Sequence, residues 1–107
     1  MSLTNEQKKH YRTIGHQLKP VLTVAEAGLT EGVLAELERA LNDHELIKVQ
    51  FRLPERDDRR TLISTLCQQG RCELVQTIGK MALVYRKNPQ PNRQLSNIHR
   101  HSSQSQP

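Results

Sequence analysis

Lys19-Pro20-Val21-Leu22-Thr23-Val24-Ala25-Glu26-Ala27-Gly28-Leu29-Thr30-Glu31-Gly32-Val33-Leu34 opens the stretch from Lys19 to Val49 that sets the fold. The apolar run Val21, Leu22 and Val24 reads as a short buried strand, started by Pro20, which cannot continue a helix. Gly28 makes a turn, and Thr30 is a suitable N-cap for a helix. Val33, Leu34, Leu37 and Leu41 then recur at helical spacing. Glu31 lies in the first turn, where negative charge suits the helix dipole. Asn42-Asp43-His44 closes the helix. A second strand follows, with Ile47, Val49, Phe51 and Leu53 on one side and Lys48, Gln50 and Arg52 on the other. A tight loop leading into a helix N-terminus presents unpaired backbone N–H groups, a local geometry suited to phosphate.

Upstream, Thr4 and Gln7 form a T-x-x-Q capping box, and Tyr11, Ile14 and Leu18 give the helix they open an apolar stripe. Lys8, Lys9, Arg12 and His16 fall off that stripe. Downstream, Glu55–Arg60 is a charged loop in which Asp57 or Asp58 caps a third helix, with Leu62, Ile63, Leu66 and Cys67 inward and Gly70 at its C′ position. Two strands follow, Cys72–Ile78 and Met81–Arg86, joined by the Gly79-Lys80 hairpin turn. The segment MALVY is apolar on both faces and should be central in its sheet. The order α-β-α-β-α-β-β predicts an α/β, two-layer α+β fold: three helices against a four-stranded mixed sheet.

The chain has 107 residues and a formal net charge of +5. Residues 1–87 suffice for one domain, and the polar stretch 88–107 is expected to be a disordered tail. No apolar run reaches the ~18 residues of a membrane span, and the basic N-terminus lacks a secretory core, so a cytoplasmic protein is expected. Cys67 and Cys72 match neither a C-x-x-C redox pair nor a zinc pattern and read as idle thiols. Charge is segregated along the chain. Glu26, Glu31, Glu36, Glu38, Asp43 and Glu45 crowd one segment against Arg39 alone, while both flanks are basic. A basic face so produced is the electrostatic footprint of a polyanion.

Four pieces in order resemble the YhbY-like CRM domain, the chloroplast RNA splicing and ribosome maturation module, over residues 3–87. They are His16-Gln17-Leu18-Lys19-Pro20, Gly28-Leu29-Thr30-Glu31-Gly32-Val33-Leu34, His44-Glu45-Leu46-Ile47-Lys48-Val49, and Val75-Gln76-Thr77-Ile78-Gly79-Lys80 with Leu83-Val84-Tyr85-Arg86. The resemblance implies a fold like the C-terminal domain of bacterial initiation factor 3. It also implies an RNA-binding protein, not an enzyme, associated with precursors of the large ribosomal subunit. The loop after the family's first strand usually reads G-x-x-G, often with a Lys inside. Here it reads Ala25-Glu26-Ala27-Gly28, so an Ala Cβ and a carboxylate stand where phosphate would approach. Binding is therefore expected to lean on basic side chains elsewhere.

The candidate RNA contacts are Lys8, Lys9, Arg12, His16 and Lys19, then Lys48, Lys80 and Arg86, with Gly28 and Gly79 shaping the backbone. Arg56, Arg59 and Arg60 alternate with Glu55, Asp57 and Asp58 and are expected to pair locally. With two Tyr and one Phe, and with Tyr11 and Phe51 on core stripes, the chain lacks aromatic platforms for stacking bases. Recognition of RNA backbone and shape is expected, by a monomer, with ribosomal proteins as further partners. His10, His16 and His44 lie apart with no nucleophile pattern, and no phosphate loop is present, so neither enzyme, metal nor cofactor is expected. His99-Arg100-His101 suits adventitious metal or weak RNA attraction. A competing reading is a protein-interaction adaptor that uses the acidic helix through Glu31, Glu36, Glu38, Asp43 and Glu45.

Overall fold

The computed structural model describes residues 3–99. Its elements are α1 (Asn5–Gly15), β1 (Pro20–Val24), α2 (Glu31–His44), β2 (Leu46–Phe51), α3 (Arg56–Gly70), β3 (Glu73–Ile78) and β4 (Met81–Tyr85), in the expected order. The capping box of α1 is closed in both directions: the Gln7 N–H donates to Thr4 Oγ1 at 3.1 Å, and the Thr4 N–H donates to Gln7 Oε1 at 2.9 Å. Thr30 caps α2 by accepting the Val33 N–H at 3.2 Å. The third helix departs from expectation at both ends. Its N-cap is Glu55, with no side-chain bond, and Asp57 and Asp58 sit in the first turn, where their charge meets the helix dipole. Gly70 is the last helical residue rather than the C′ residue, and Arg71 takes the left-handed cap. A Cβ at Gly70 would stand 2.8 Å from Leu37 Cδ2, so this glycine serves the packing of α3 on α2.

The sheet order is β1-β2-β4-β3, with β1 parallel to β2 and the other neighbours antiparallel. The doubly apolar β4 is internal, as expected. The layering differs from the two-layer expectation. Ile47, Val49, Phe51, Ala82 and Val84 face a core built with Leu37 and Leu41 of α2 and Ile63 and Leu66 of α3. Leu46, Leu83 and Val75 face the other way and pack with Tyr11 and Ile14 of α1. Because β4 is apolar on both faces and β2 adds Leu46 to the second, both faces need cover, and α1 supplies the second. Val21, expected in the core, is 49% exposed, because only Leu22 and Val24 of β1 point toward α2 and α3.

Residues 88–99 differ from the expected disordered tail. Ser96 and Asn97 are buried, and Ile98 joins the α1 core. Glu45, buried at the end of α2 with φ +61°, holds this segment. Its Oε1 accepts from Ser96 Oγ at 2.8 Å, and its Oε2 accepts from the Asn88 N–H at 3.0 Å. Asn97 Nδ2 donates to the Leu46 carbonyl at 2.6 Å. Apolar periodicity could not reveal a segment held by polar bonds to a residue about fifty positions earlier. Arg100 and His101 of the His-Arg-His motif lie outside the described residues.

Candidate nucleic-acid interface

On α1, Tyr11, Ile14 and Gly15 turn toward the sheet, which leaves the basic side chains to the flank and outer surface. Lys9, His16 and Lys19 are exposed, and Lys8 and Arg12 are half-buried. Lys8, Arg12 and His16 follow one another at four-residue spacing along one flank. Gly15 permits a close approach: a Cβ there would stand 2.6 Å from Leu83 Cδ2. Beside this contact a shallow groove of about 100 Å³ opens, lined by His16, Lys48, Gln76, Ile78, Met81 and Leu83. Lys48 pairs with Leu83 across the β2–β4 ladder and lies on the α1 face, half-buried. A bulge between Leu74 and Gln76 lets Val75 pack under α1 while Gln76 reaches the groove.

The tip of the sheet gathers the loops. Gly79 has φ +57° in the β3–β4 hairpin, and Lys80 is exposed beside it. The Lys80 carbonyl accepts from the Phe51 N–H at 2.7 Å, and the Val24 carbonyl accepts from the Arg52 N–H at 2.7 Å. The hairpin, the end of β2 and the end of β1 are thus tied together. The loop after β1 closes as a turn in which the Gly28 N–H donates to the Ala25 carbonyl at 2.8 Å, with Gly28 at φ +78°. No atom lies within 4 Å of a Cβ built at Gly28, so its role is conformational. Glu26 is exposed on this turn.

Lys8, Lys9, Arg12, His16, Lys19, Lys48 and Lys80 form no side-chain hydrogen bond or ion pair among the described residues. Arg86 is different and does not join them. Its guanidinium is forked on Glu38 at 2.7 and 3.0 Å, and it also donates to the Gly70 carbonyl at 2.9 Å and to Asn42 Oδ1 at 2.9 Å. It ties β4 to the ends of α2 and α3, a tertiary role that proximity to the hairpin motif could not disclose. The Arg86 hydrogen bond holds the Glu38 carboxyl below its ordinary value. Arg59 likewise bonds backbone, donating to the carbonyls of Leu53 and Pro54 rather than pairing with its acidic neighbours.

The acidic helix is not a continuous docking face. Glu38 is exposed but engaged by Arg86, Asp43 is half-buried and Glu45 is buried under residues 88–99, which leaves Glu31 and Glu36 as its exposed acids unengaged among the described residues. Tyr11 and Tyr85 pack at 4.8 Å between ring centres, and Phe51 is fully buried, so none of the three aromatics stands free. Cys67 and Cys72 share a thiol hydrogen bond that draws Cys67 down from its ordinary pKa and pushes Cys72 up. Among the described residues no cluster of three or more His, Cys, Asp or Glu could hold a metal, and no helix is long and apolar enough to cross a membrane. Gly15, Gln76 and Met81 also line the groove, and no sequence motif singled them out. A glycine inside a helical pattern signals close packing, so Gly15 was detectable. Gln76 and Met81 carry no signal until the sheet aligns them.

Residues 3–86 match the family model for the CRS1 / YhbY (CRM) domain. A probable RNA-binding protein of Pseudomonas aeruginosa is 74% identical over 100 residues, covering 94% of this chain and 96% of its own length. An RNA-binding protein of Haemophilus influenzae is 39% identical, covering 88% of this chain and 95% of its own. The solution structure of a hypothetical Staphylococcus aureus protein, proposed to bind RNA, superposes with a TM-score of 0.74 at 33% identity, over 89% of this chain and 98% of that one.

Proposed function

The chain belongs to the CRS1 / YhbY (CRM) family, and from that premise we propose that it binds RNA, as an assembly factor on precursors of the large ribosomal subunit. The observation that carries the RNA reading is a row of basic side chains, none bonded to a carboxylate among the described residues, along α1 and beside its C-terminus, with one more at the hairpin tip. Lys8, Arg12 and His16 run along α1, Lys48 lies beside its C-terminus, and Lys80 stands at the hairpin tip. Side chains already paired with carboxylates would have to give up those partners to meet a phosphate; these need not. Relatives named as RNA-binding proteins support the same partner. The ribosomal assignment rests on the family resemblance. In this reading a rigid monomer docks in the cytoplasm through α1 and the Gly79-Lys80 hairpin and reads backbone and shape.

The test is the triple variant K8E/R12E/K80E, with circular dichroism to verify its fold. The expected result is loss of binding to ribosomal RNA in gel shifts and loss of RNase-sensitive co-sedimentation with large-subunit particles. A folded variant that binds and sediments like the parent protein would overturn the reading.

A further inference from the structure

Helix α1 covers only part of its sheet face. Gly15 presses on Leu83, and the next ladder row on that face, where Met81 pairs with Ile78 and with Gln50, lies toward the hairpin. Ile78 is 57% exposed there. The groove between helix and hairpin, about 100 Å³, is well below the size of a drug-type ligand site and suits a single ring. Its wall is apolar, from Leu83, Met81 and Ile78, and three polar groups rim it: the His16 imidazole, the Gln76 carboxamide and the Lys48 ammonium. None of these three side chains has a hydrogen-bond partner among the described residues.

We propose that this groove is a subsite for one unpaired nucleobase of a bound RNA, a proposal that rests on the RNA reading and names what that surface selects. The ring lies against Met81 and Ile78. The Gln76 carboxamide, which both donates and accepts, meets a base edge. The Lys48 ammonium and, when protonated, the His16 imidazole neutralise the adjoining phosphate. A phosphate alone would leave the apolar wall unused, and a purely apolar side chain would desolvate Lys48 without replacing its water. A base with its phosphate satisfies both halves of the groove. The family of contacts thereby extends from RNA backbone to an unpaired position, without an aromatic platform.

Two measurements on the full chain test this. The first is an NMR titration with adenosine or uridine 5′-monophosphate against ribose 5-phosphate. The nucleotides are expected to shift the Gln76 side-chain amide and the Met81 methyl, which ribose 5-phosphate leaves in place. The second compares an RNA hairpin bearing one bulged adenosine with the same hairpin abasic at that position. The protein is expected to prefer the base-bearing RNA about fivefold or more, the scale of one net hydrogen bond, and Gln76→Ala or Ile78→Ser should remove most of that preference. Equal affinity for the two hairpins, or equal shifts from nucleotide and sugar phosphate, would overturn the subsite and leave RNA binding intact. Failure to bind either hairpin at low salt would overturn the RNA reading and the subsite with it.

Discussion

At the residue scale, two side chains of similar sequence appearance have opposite fates. Lys80 and Arg86 both follow strands and both carry a cation, yet Lys80 is free and Arg86 is forked on Glu38 and bonded to Gly70 and Asn42. Arg86→Met should therefore cost about 1–3 kcal/mol of stability, because it strands the part-buried Gly70 carbonyl, while the exposed Glu38 carboxylate returns to water. Urea midpoints would show this, and RNA affinity should stay unchanged where the protein remains folded. Gly15 sets a second contest. Ala gains up to about 1 kcal/mol in helix propensity over Gly, and less at the last residue of α1. Here its Cβ would stand 2.6 Å from a methyl of Leu83, which is only 4% exposed and has little room to retreat. Overpacking of about 1–3 kcal/mol outweighs the gain. Gly15→Ala should lower the denaturation midpoint and lift α1 away from the groove. A raised midpoint would mean that Leu83 repacks freely.

At the element scale, the ends of the helices differ in how far the sequence discloses them. The capping box at Thr4 and Gln7 was legible because it is local, three residues apart in sequence. The end of α2 was not legible. Glu45 is an acidic residue at positive φ, buried, with its carboxylate satisfied by Ser96 and the Asn88 N–H. His99 Nε2 lies 3.4 Å from the same carboxylate. Truncation after Lys87 removes all of these partners and exposes the Leu46 end of the α1 core. The expected outcome is a loss of about 1–3 kcal/mol, the scale of stranding a buried acceptor, read as a lower urea midpoint. An unchanged midpoint would show that residues 88–99 do not dock in solution.

At the scale of the whole molecule, the net charge of +5 matters less than its arrangement. About four phosphate contacts would give a log–log salt slope of roughly −3 to −4 for RNA binding. Binding titrations from low to moderate salt check this, and the K8E/R12E/K80E variant should flatten the slope. Element order, the central place of β4, the α1 capping box and the basic character of α1 were determined by the sequence alone. Each is written in local signals: alternation along a strand, helical spacing, a capping pair, a glycine turn. The tertiary structure decided the rest. It placed α1 opposite α2 and α3, because β4 has two apolar faces and periodicity does not say which helix covers which. It withdrew Arg86 and Glu45 from the surface and brought Lys48, Gln76 and Met81 to one groove beside His16. Those outcomes depend on pairing between residues far apart in the chain, and no local pattern carries that information.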